Sequence, residues 1–156
     1  MIDDSGLAND IAVPLRRYCY AHLVDRPDLV RFFFMHRSSW FENQAFKLTY
    51  PMLKSRLVAG YDCTPSGARR AQSELSQAMD KYDGLLGAND YFLGESFSRI
   101  DLTFASLAVF MLMPMEYPVP WPEEMFQHKT FEWFSRFHDR PCLKHVARMY
   151  AEHRKR

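Results

Sequence analysis

The chain has 156 residues, of which 47% are hydrophobic and 25% are charged, as is ordinary for a globular protein. Its formal net charge is only +1 and both signs are mixed along the chain, so the sequence predicts no concentrated basic face for nucleic acid. The length fits one domain, 1–156. The longest apolar stretch, from Leu102 to Met115, is shorter than the roughly 20 residues that cross a bilayer, so no membrane partner is expected.

The three cysteines are Cys19, Cys63 and Cys142, and no two of them form a CxxC pair. The spacing therefore indicates neither a zinc site nor a dithiol redox site, whereas separate free thiols are typical of a reducing compartment. The first six residues are polar and acidic, unlike a signal peptide. We therefore expect a cytoplasmic location.

Apolar residues recur at helical spacing almost throughout, and no alternating strand pattern persists. The first predicted helix runs from about Asp10 to Val24, with Pro14 tolerated only near its start, where an N–H is not needed. The residues predicted to face inward are Leu15, Tyr18, Cys19, His22 and Leu23.

A second helix is predicted to open at Pro27, and a longer one at the capping box formed by Ser39 and Glu42. Pro51 lies inside the longer helix, which is expected to end at Gly60. The side chains predicted to face inward from the second helix are Leu29, Phe32 and Phe33.

The clearest periodicity follows Thr64 and Pro65, an N-cap with proline at the first helical position. Gly87 is expected to end this helix in the left-handed conformation. The inward stripe is predicted to comprise Ala68, Ala71, Leu75, Ala78, Met79, Tyr82 and Leu86.

The next helix is predicted to begin with a capping box, in which Ser98 accepts the N–H of Asp101 and the Asp101 carboxylate accepts the N–H of Ser98. Phe97 and Leu102 hold the hydrophobic-staple positions. This helix is apolar on nearly all faces, so it is predicted to be the buried centre of the domain. Ser98→Asp is expected to be tolerated better than Ser98→Ala, because aspartate can still cap.

Four prolines between residues 114 and 122 predict an extended loop, followed by a helix capped by Thr130. Arg140 and Pro141 then start a last helix, whose inward residues are predicted to be Leu143, Val146, Ala147 and Tyr150. The predicted fold class is all-α, a bundle of five to seven helices around one buried central helix.

The segment from Tyr91 to Leu102, which reads YFLGESFSRIDL, resembles the hallmark of the C-terminal helical domain of cytosolic glutathione S-transferases. That hallmark is an aromatic-Leu-Gly turn followed by a Ser/Thr-x-x-Asp box at the start of the central helix. The order of the surrounding helices is similar over essentially the whole chain, most firmly over residues 66–150. One departure is Ile100, where the family usually has alanine.

The resemblance implies a protein that conjugates glutathione to apolar electrophiles, or carries out a related thiol-dependent reaction. In that family a thioredoxin-like domain holds glutathione and carries the activating residue, and no such segment is evident here. We therefore expect no cofactor in this chain, with glutathione a cosubstrate only when a thioredoxin-like half is supplied. The family resemblance also implies that Tyr18 and His22 line the pocket for the electrophile, although ordinary core or interface positions are the simpler interpretation.

Other chemistry is weakly indicated. Cys19 and His22 share a helix face, but a core cysteine beside a histidine explains the spacing better than a nucleophile and base do. His138 and His145 fall on opposite sides of a proline break, so no metal site is predicted. Asp101 is interpreted as a structural cap. We accordingly predict no catalytic, cofactor-binding or metal-binding residue in this chain.

Three functions remain open at this point. The chain is the helical half of a glutathione transferase, a free-standing helical interaction module, or a non-catalytic carrier of apolar ligands. The expected partners are a thioredoxin-like domain or a partner subunit. We also expect self-association through an exposed apolar patch that includes Tyr18, Trp40 and Phe41.

Overall fold

The computed structural model describes residues 3–34 and 39–154, and at 32–34 only the backbone. Within these ranges the fold is all-α, as predicted, and no strand is present, but there are more helices than the five to seven expected. None of the described helices is long and apolar enough to cross a membrane. The helices are α1 (Asp4–Leu7), α2 (Val13–Leu23), α3 (Pro27–Phe34), α4 (Trp40–Tyr61), α5 (Pro65–Leu86), α6 (Arg99–Leu112), α7 (Glu123–Phe126), α8 (Lys129–Phe134) and α9 (Pro141–His153).

The first helical rod is longer than predicted, because it begins at Asp4 rather than near Asp10. A π-helical segment, Ala8–Ala12, joins α1 to α2 without a break. It ends two residues before Pro14, which has no N–H to donate to the α-helical ladder. The predicted inward residues of α2 are buried except His22, which is exposed.

Helix α2 runs antiparallel to α5, and ion pairs mark the register along their length. Arg17 Nη1 lies 2.6 Å from Glu74 Oε2, while Lys81 Nζ lies 2.6 Å from Asp10 Oδ2. The hydroxyl of Tyr82 donates to the same Asp10 carboxylate at 2.9 Å. Every residue of the predicted α5 stripe is buried, as the 3–4 spacing indicated.

The helix ends follow the predicted caps with three corrections. Ser39 and Glu42 form a capping box, and the Thr64 hydroxyl accepts the N–H of Gly67 at 2.9 Å. Helix α4 ends at Tyr61 rather than Gly60, because Asp62 takes the left-handed conformation. Gly87 ends α5 with positive φ, but its ψ of −128° is not the left-handed helical value expected. The third correction is the N-cap of α8, which is His128 and not Thr130; the His128 ring accepts the N–H of Thr130 at 3.3 Å.

Helix α6 packs against α9, α1, the π-helical segment and α8. It runs antiparallel to α9, since Phe97 stacks on His153 at 4.2 Å and Nε2 of His138 lies 2.9 Å from the Met111 carbonyl. The prediction that α6 is buried all round is wrong, because Leu102 is 55% exposed and Ser106 is also exposed. No described helix covers that side.

Other predicted inward positions have mixed outcomes. Leu29 is buried, whereas the side chains of Phe32 and Phe33 lie outside the described residues. Leu143, Val146 and Tyr150 of α9 are buried, but Ala147 is exposed. The core is formed mainly by α2, α5, α6, α8 and α9.

Candidate functional site

The Asp101 carboxylate is fully buried, with no exposed surface. Its Oδ1 accepts the N–H of Phe92 at 2.9 Å, and its Oδ2 accepts the N–H of Ser98 at 2.9 Å. Ser98 and Asp101 form a capping box, and in addition the Ser98 hydroxyl donates to Oδ2 at 2.5 Å. The carboxylate thereby joins the connector before α6 to the first turn of that helix.

His145 of α9 reaches the same carboxylate from the other side. Its Nε2 lies 3.1 Å from Asp101 Oδ1, and the imidazole is 2% exposed. Nε2 nevertheless has no well-aligned hydrogen bond among the described residues, so the contact is one of distance and charge rather than a directed bond. Burial lowers the pKa of His145, and the Asp101 charge opposes this only in part.

Arg148 closes the network on the outside of His145. Its guanidinium bonds the backbone carbonyl and the side chain of Asp90, and it lies 4.9 Å from the centroid of the Tyr91 ring. The turn that begins at these residues is tight, because Tyr91 and Gly94 exchange backbone hydrogen bonds of 3.1 and 3.0 Å. One turn of α9 therefore holds the connector against the start of α6.

The arrangement can hold a fold together, but no substrate atom can reach it. Asp101 and His145 are both buried, and the groups around them are donors from the chain's own backbone. A general acid or base must come within hydrogen-bond reach of the proton that it transfers. The Ser98–Asp101 pair thus has a structural geometry, and a catalytic role is not supported.

The predicted pocket residues lie side by side on α2. Tyr18 is 2% exposed, and its ring packs 4.5 Å from that of His22, 4.8 Å from Trp133 and 5.3 Å from Phe134. His22 is exposed, and its Nδ1 lies 2.8 Å from the Tyr18 carbonyl. Burial raises the pKa of Tyr18 to about 12. Tyr18 is a core residue that cannot belong to an exposed patch, and the pocket-lining role of the pair stays a prediction.

The thiols are not activated for nucleophilic attack. Burial raises the pKa of Cys19 to about 12, and it also raises the pKa values of Cys63 and Cys142. A neutral thiol is a poor nucleophile and a poor metal ligand. Among the described residues there is also no group of three or more His, Cys, Asp or Glu side chains that could hold a metal ion.

Two shallow apolar grooves flank the exposed side of α6 and meet at Ser106. The first, of about 190 Å³, lies between Leu102 and the end of α9, and the second, of about 290 Å³, lies between Phe110 and α2. Phe97, next to the first groove, is 41% exposed. We define the α6 face as Phe97, Leu102, Ser106, Leu107 and Phe110.

A third and larger groove, of about 660 Å³, lies where the proline-rich loop meets the end of α9. Tyr117 and Trp121 stack there at 4.4 Å, and the Arg154 guanidinium lies 6.0 Å from the Tyr117 ring. An aromatic wall with one cation suits a flat apolar ligand that carries a negative charge.

Sequence reasoning missed the contact between His145 and Asp101, the α6 face and the loop groove. His145 had a visible signal, because it is a polar residue within the apolar stripe that runs from Cys142 to Tyr150. The α6 face had none, since an all-apolar helix does not show which of its sides stays uncovered.

The chain matches no protein-family model, no curated protein and no solved structure.

Proposed function

We propose that the chain is the helical half of a glutathione S-transferase-type protein, in which a thioredoxin-like domain covers the α6 face. The resemblance of residues 91–102 motivates this proposal, and the structure gives that segment a use: a tight turn, then a helix whose first turn is capped by Asp101. The helical half would shape the apolar electrophile site and the domain contacts, with no catalytic residue of its own.

The observation that carries the proposal is the position of Asp4 relative to α6. The Thr103 hydroxyl donates to Asp4 Oδ1 at 3.2 Å, and Arg99 Nη1 lies 3.0 Å from Asp4 Oδ2. Asp4 therefore lies beside the first turns of α6, at residues that are neighbours in sequence of the exposed Leu102. A domain joined ahead of it would emerge at the uncovered side of this helix, where apolar surface is available to bury.

The activity would be detoxification of apolar electrophiles, with glutathione as the cosubstrate. Its thiolate would be held and activated by the thioredoxin-like domain. We place the protein in the cytoplasm, because its three cysteines are free and glutathione chemistry needs a reducing compartment.

The test begins with the coding sequence upstream of Met1. An in-frame thioredoxin-like segment is expected, and the joined protein should transfer glutathione to a chlorinated dinitrobenzene. Leu102→Asp should reduce that activity strongly, because it places a charge in the buried contact. Leu85→Asp, at a similarly exposed leucine of α5, is the matched control and should leave activity unchanged. Absence of such a segment, or equal activity of both variants, would contradict the proposal.

A second candidate is a carrier of apolar ligands, and the loop groove favours it. The volume of about 660 Å³ lies within the usual range for small-molecule sites, roughly 300–1,000 Å³. Titration with an aromatic carboxylate should quench the fluorescence of Trp121, and Arg154→Gln should weaken that binding. Quenching that is absent, or unaffected by Trp121→Phe, would remove this candidate.

A further inference from the structure

Helix α4 carries two apolar stripes on opposite sides. The inner stripe packs on α2 and α3, and its Tyr50 hydroxyl donates to the Val24 carbonyl at 2.7 Å. The outer stripe is solvent-exposed: Phe41 is 77% exposed, Leu48 84% and Met52 62%. We define the outer stripe as Phe41, Ala45, Leu48, Met52, Ser55 and Ala59, all of which are exposed.

The spacing of the outer stripe is that of a helix that pairs with another helix. Its members follow one another at intervals of four, three, four, three and four residues, which is the a/d repeat of a coiled coil. At about 100° per residue they fall within a single narrow sector of the helix surface. A surface-exposed face of an ordinary helix would be polar at these positions. The outer stripe is therefore built to be covered.

The order of large and small residues along the outer stripe suits pairing with the outer stripe of a second copy that runs antiparallel. A two-fold axis at Tyr50 brings Leu48 of one copy opposite Met52 of the other. The same axis brings Phe41 opposite Ala59 and Ala45 opposite Ser55, so that the large ring faces a small side chain. Alternation of large and small side chains lets two helices approach closely and interdigitate.

The charges beside the outer stripe agree with the same arrangement. Glu42 and Arg56 are both exposed and hold equivalent flanking positions, at opposite ends of the helix. About the axis at Tyr50, Glu42 of each copy flanks the seam within two residues, about 3 Å along the axis, of Arg56 of the other copy, so that two ion pairs can form. In a parallel, in-register pair, Phe41 would instead stack on Phe41 of the other copy. The flanking position of Arg56 would then face that of Pro51, which carries no charge. Such flanking charges contribute little energy but select orientation.

We propose that α4 is the contact helix of a homodimer, in which two copies of this chain pair antiparallel through the outer stripe. The interface is isologous, because each contact occurs twice about the two-fold axis. This inference does not depend on the proposed enzymatic function, since the α6 face and its grooves belong to other helices.

The first test is the mass in solution, measured by light scattering over a wide range of concentration. The chain is expected to be dimeric. Leu48→Asp should weaken dimerisation by roughly a hundredfold or more, because each dimer loses two buried leucines. Leu93→Asp is the matched control, since Leu93 is 65% exposed in the connector, and it should leave the dimer unchanged. A monomer at all concentrations, or equal effects of the two variants, overturns the proposal.

The second test fixes the orientation by disulfide trapping. Chains with Ala45→Cys and Ser55→Cys are mixed under mild oxidation, and the heterodisulfide is expected, because these positions face each other. Two Ala45→Cys chains should not cross-link, since their cysteines would lie about 15 Å apart along the axis. A homodisulfide at position 45 would show a parallel pair. A monomer that binds anionic vesicles through the outer stripe would show a membrane surface. Either result overturns the proposal.

The third test exchanges charges. Arg56→Glu alone should weaken the dimer severalfold, and so should Glu42→Arg, whereas a mixture of the two variants should form heterodimers in which both ion pairs are restored. Helix content is followed in parallel, because Glu42 also bonds the N–H of Ser39 at 2.6 Å. No preference for heterodimers in the mixture, with helix content intact, would contradict the antiparallel register.

Discussion

Nε2 of His145 lies 3.1 Å from Oδ1 of Asp101, and this contact links α9 to the first turn of α6 across 44 residues of chain. The carboxylate already has three donors from its own neighbourhood, namely the N–H groups of Phe92 and Ser98 and the Ser98 hydroxyl. His145 therefore connects α9, which is distant in sequence, to the local cap at the start of α6. The stability of the described fold should be most sensitive at this point.

Asp101→Ala should destabilise the protein by about 3 kcal/mol or more, because the buried N–H of Phe92 and the Ser98 donors lose their acceptor. For a chain of this size the melting temperature should fall by roughly 6–12 °C.

At Ser98 the structure predicts the opposite order of stability for the two variants from the one that the sequence predicted. Its hydroxyl donates to Oδ2 at 2.5 Å, so Ser98→Asp would set two carboxylates against each other and should be worse than Ser98→Ala. Thermal unfolding followed by circular dichroism measures both; equal stability of Asp101→Ala and the parent protein would contradict the structural role.

His145 should make the protein less stable in mild acid. Burial lowers the pKa of His145 in the folded chain, so the unfolded chain takes up a proton at higher pH. The stability of the fold with a neutral His145 is fully present above the usual histidine pKa of about 6.5. It is lost as the pH falls below that value. His128 shifts in the same direction through burial and must be held constant. In a His128→Gln background, urea unfolding at a series of pH values should show a flatter dependence once His145→Gln is added; an unchanged slope would show that His145 does not titrate as expected.

Asp83 is the anchor of the α8–α9 corner. Its carboxylate accepts from Arg140 Nε at 2.6 Å and from the Cys142 N–H at 2.8 Å, so it holds the start of α9 on α5. Asp83→Ala should cost about 2 kcal/mol, since charge-assisted hydrogen bonds of this kind are lost at a partly buried site. Asp139, whose side chain is fully exposed, gives the control: Asp139→Ala should have no measurable effect on denaturant unfolding. Similar losses for both aspartates would argue against the anchor.

Two glycines of α5 should respond in opposite ways to alanine. A Cβ at Gly67 would overlap the Asp62 carbonyl oxygen and lie 2.9 Å from the Cγ of Asp62, so Gly67→Ala should destabilise the protein by about 1–3 kcal/mol. Gly84 has open space around the same position, and Gly84→Ala should stabilise it by about 0.5–1 kcal/mol through helix propensity. Melting temperatures that move in the same direction would contradict this account.

The chain alone should neither bind nor conjugate glutathione at millimolar concentration. The two grooves beside α6 are lined mainly by apolar side chains, with one arginine in each, whereas a charged tripeptide needs several donors and cations placed together. Calorimetric titration should show no saturable heat. Saturable binding would mean that the glutathione site lies on this chain rather than on a thioredoxin-like partner.

The sequence predicted the described elements well where the signal depends only on residues that lie close together in the chain. The box at Ser39 and Glu42, the cap at Thr64 and the stripe of α5 need only residues a few positions apart, and all three are present. The start of the first helix was misplaced because the π-helical segment breaks the 3.6-residue period that the prediction followed. His22 was placed inward for a different reason: periodicity shows which face of a helix is apolar but not where the buried part of that face ends.

Relationships between distant residues were beyond sequence reasoning. Nothing local shows that His145 meets Asp101, or that Tyr18 is enclosed by Trp133 and Phe134. The exposed side of α6 was missed because the hydrophobicity of a helix does not show which of its sides other elements cover. The outer stripe of α4 was not predicted, because its exposure is known only once the inner stripe is seen to pack.

The π-helical segment Ala8–Ala12 should let the continuous helix from α1 to α2 change in length by one residue without a change of fold. A π turn holds one residue more than an α turn, so deletion of a single residue such as the exposed Asn9 could convert it to an α turn. The helical phase on either side would be kept, and Leu7 and Leu15 would both still point inward. The same deletion in the middle of α5 would turn every later side chain of that helix by about 100°. Single-residue deletions in variants of this chain should therefore collect between residues 8 and 12.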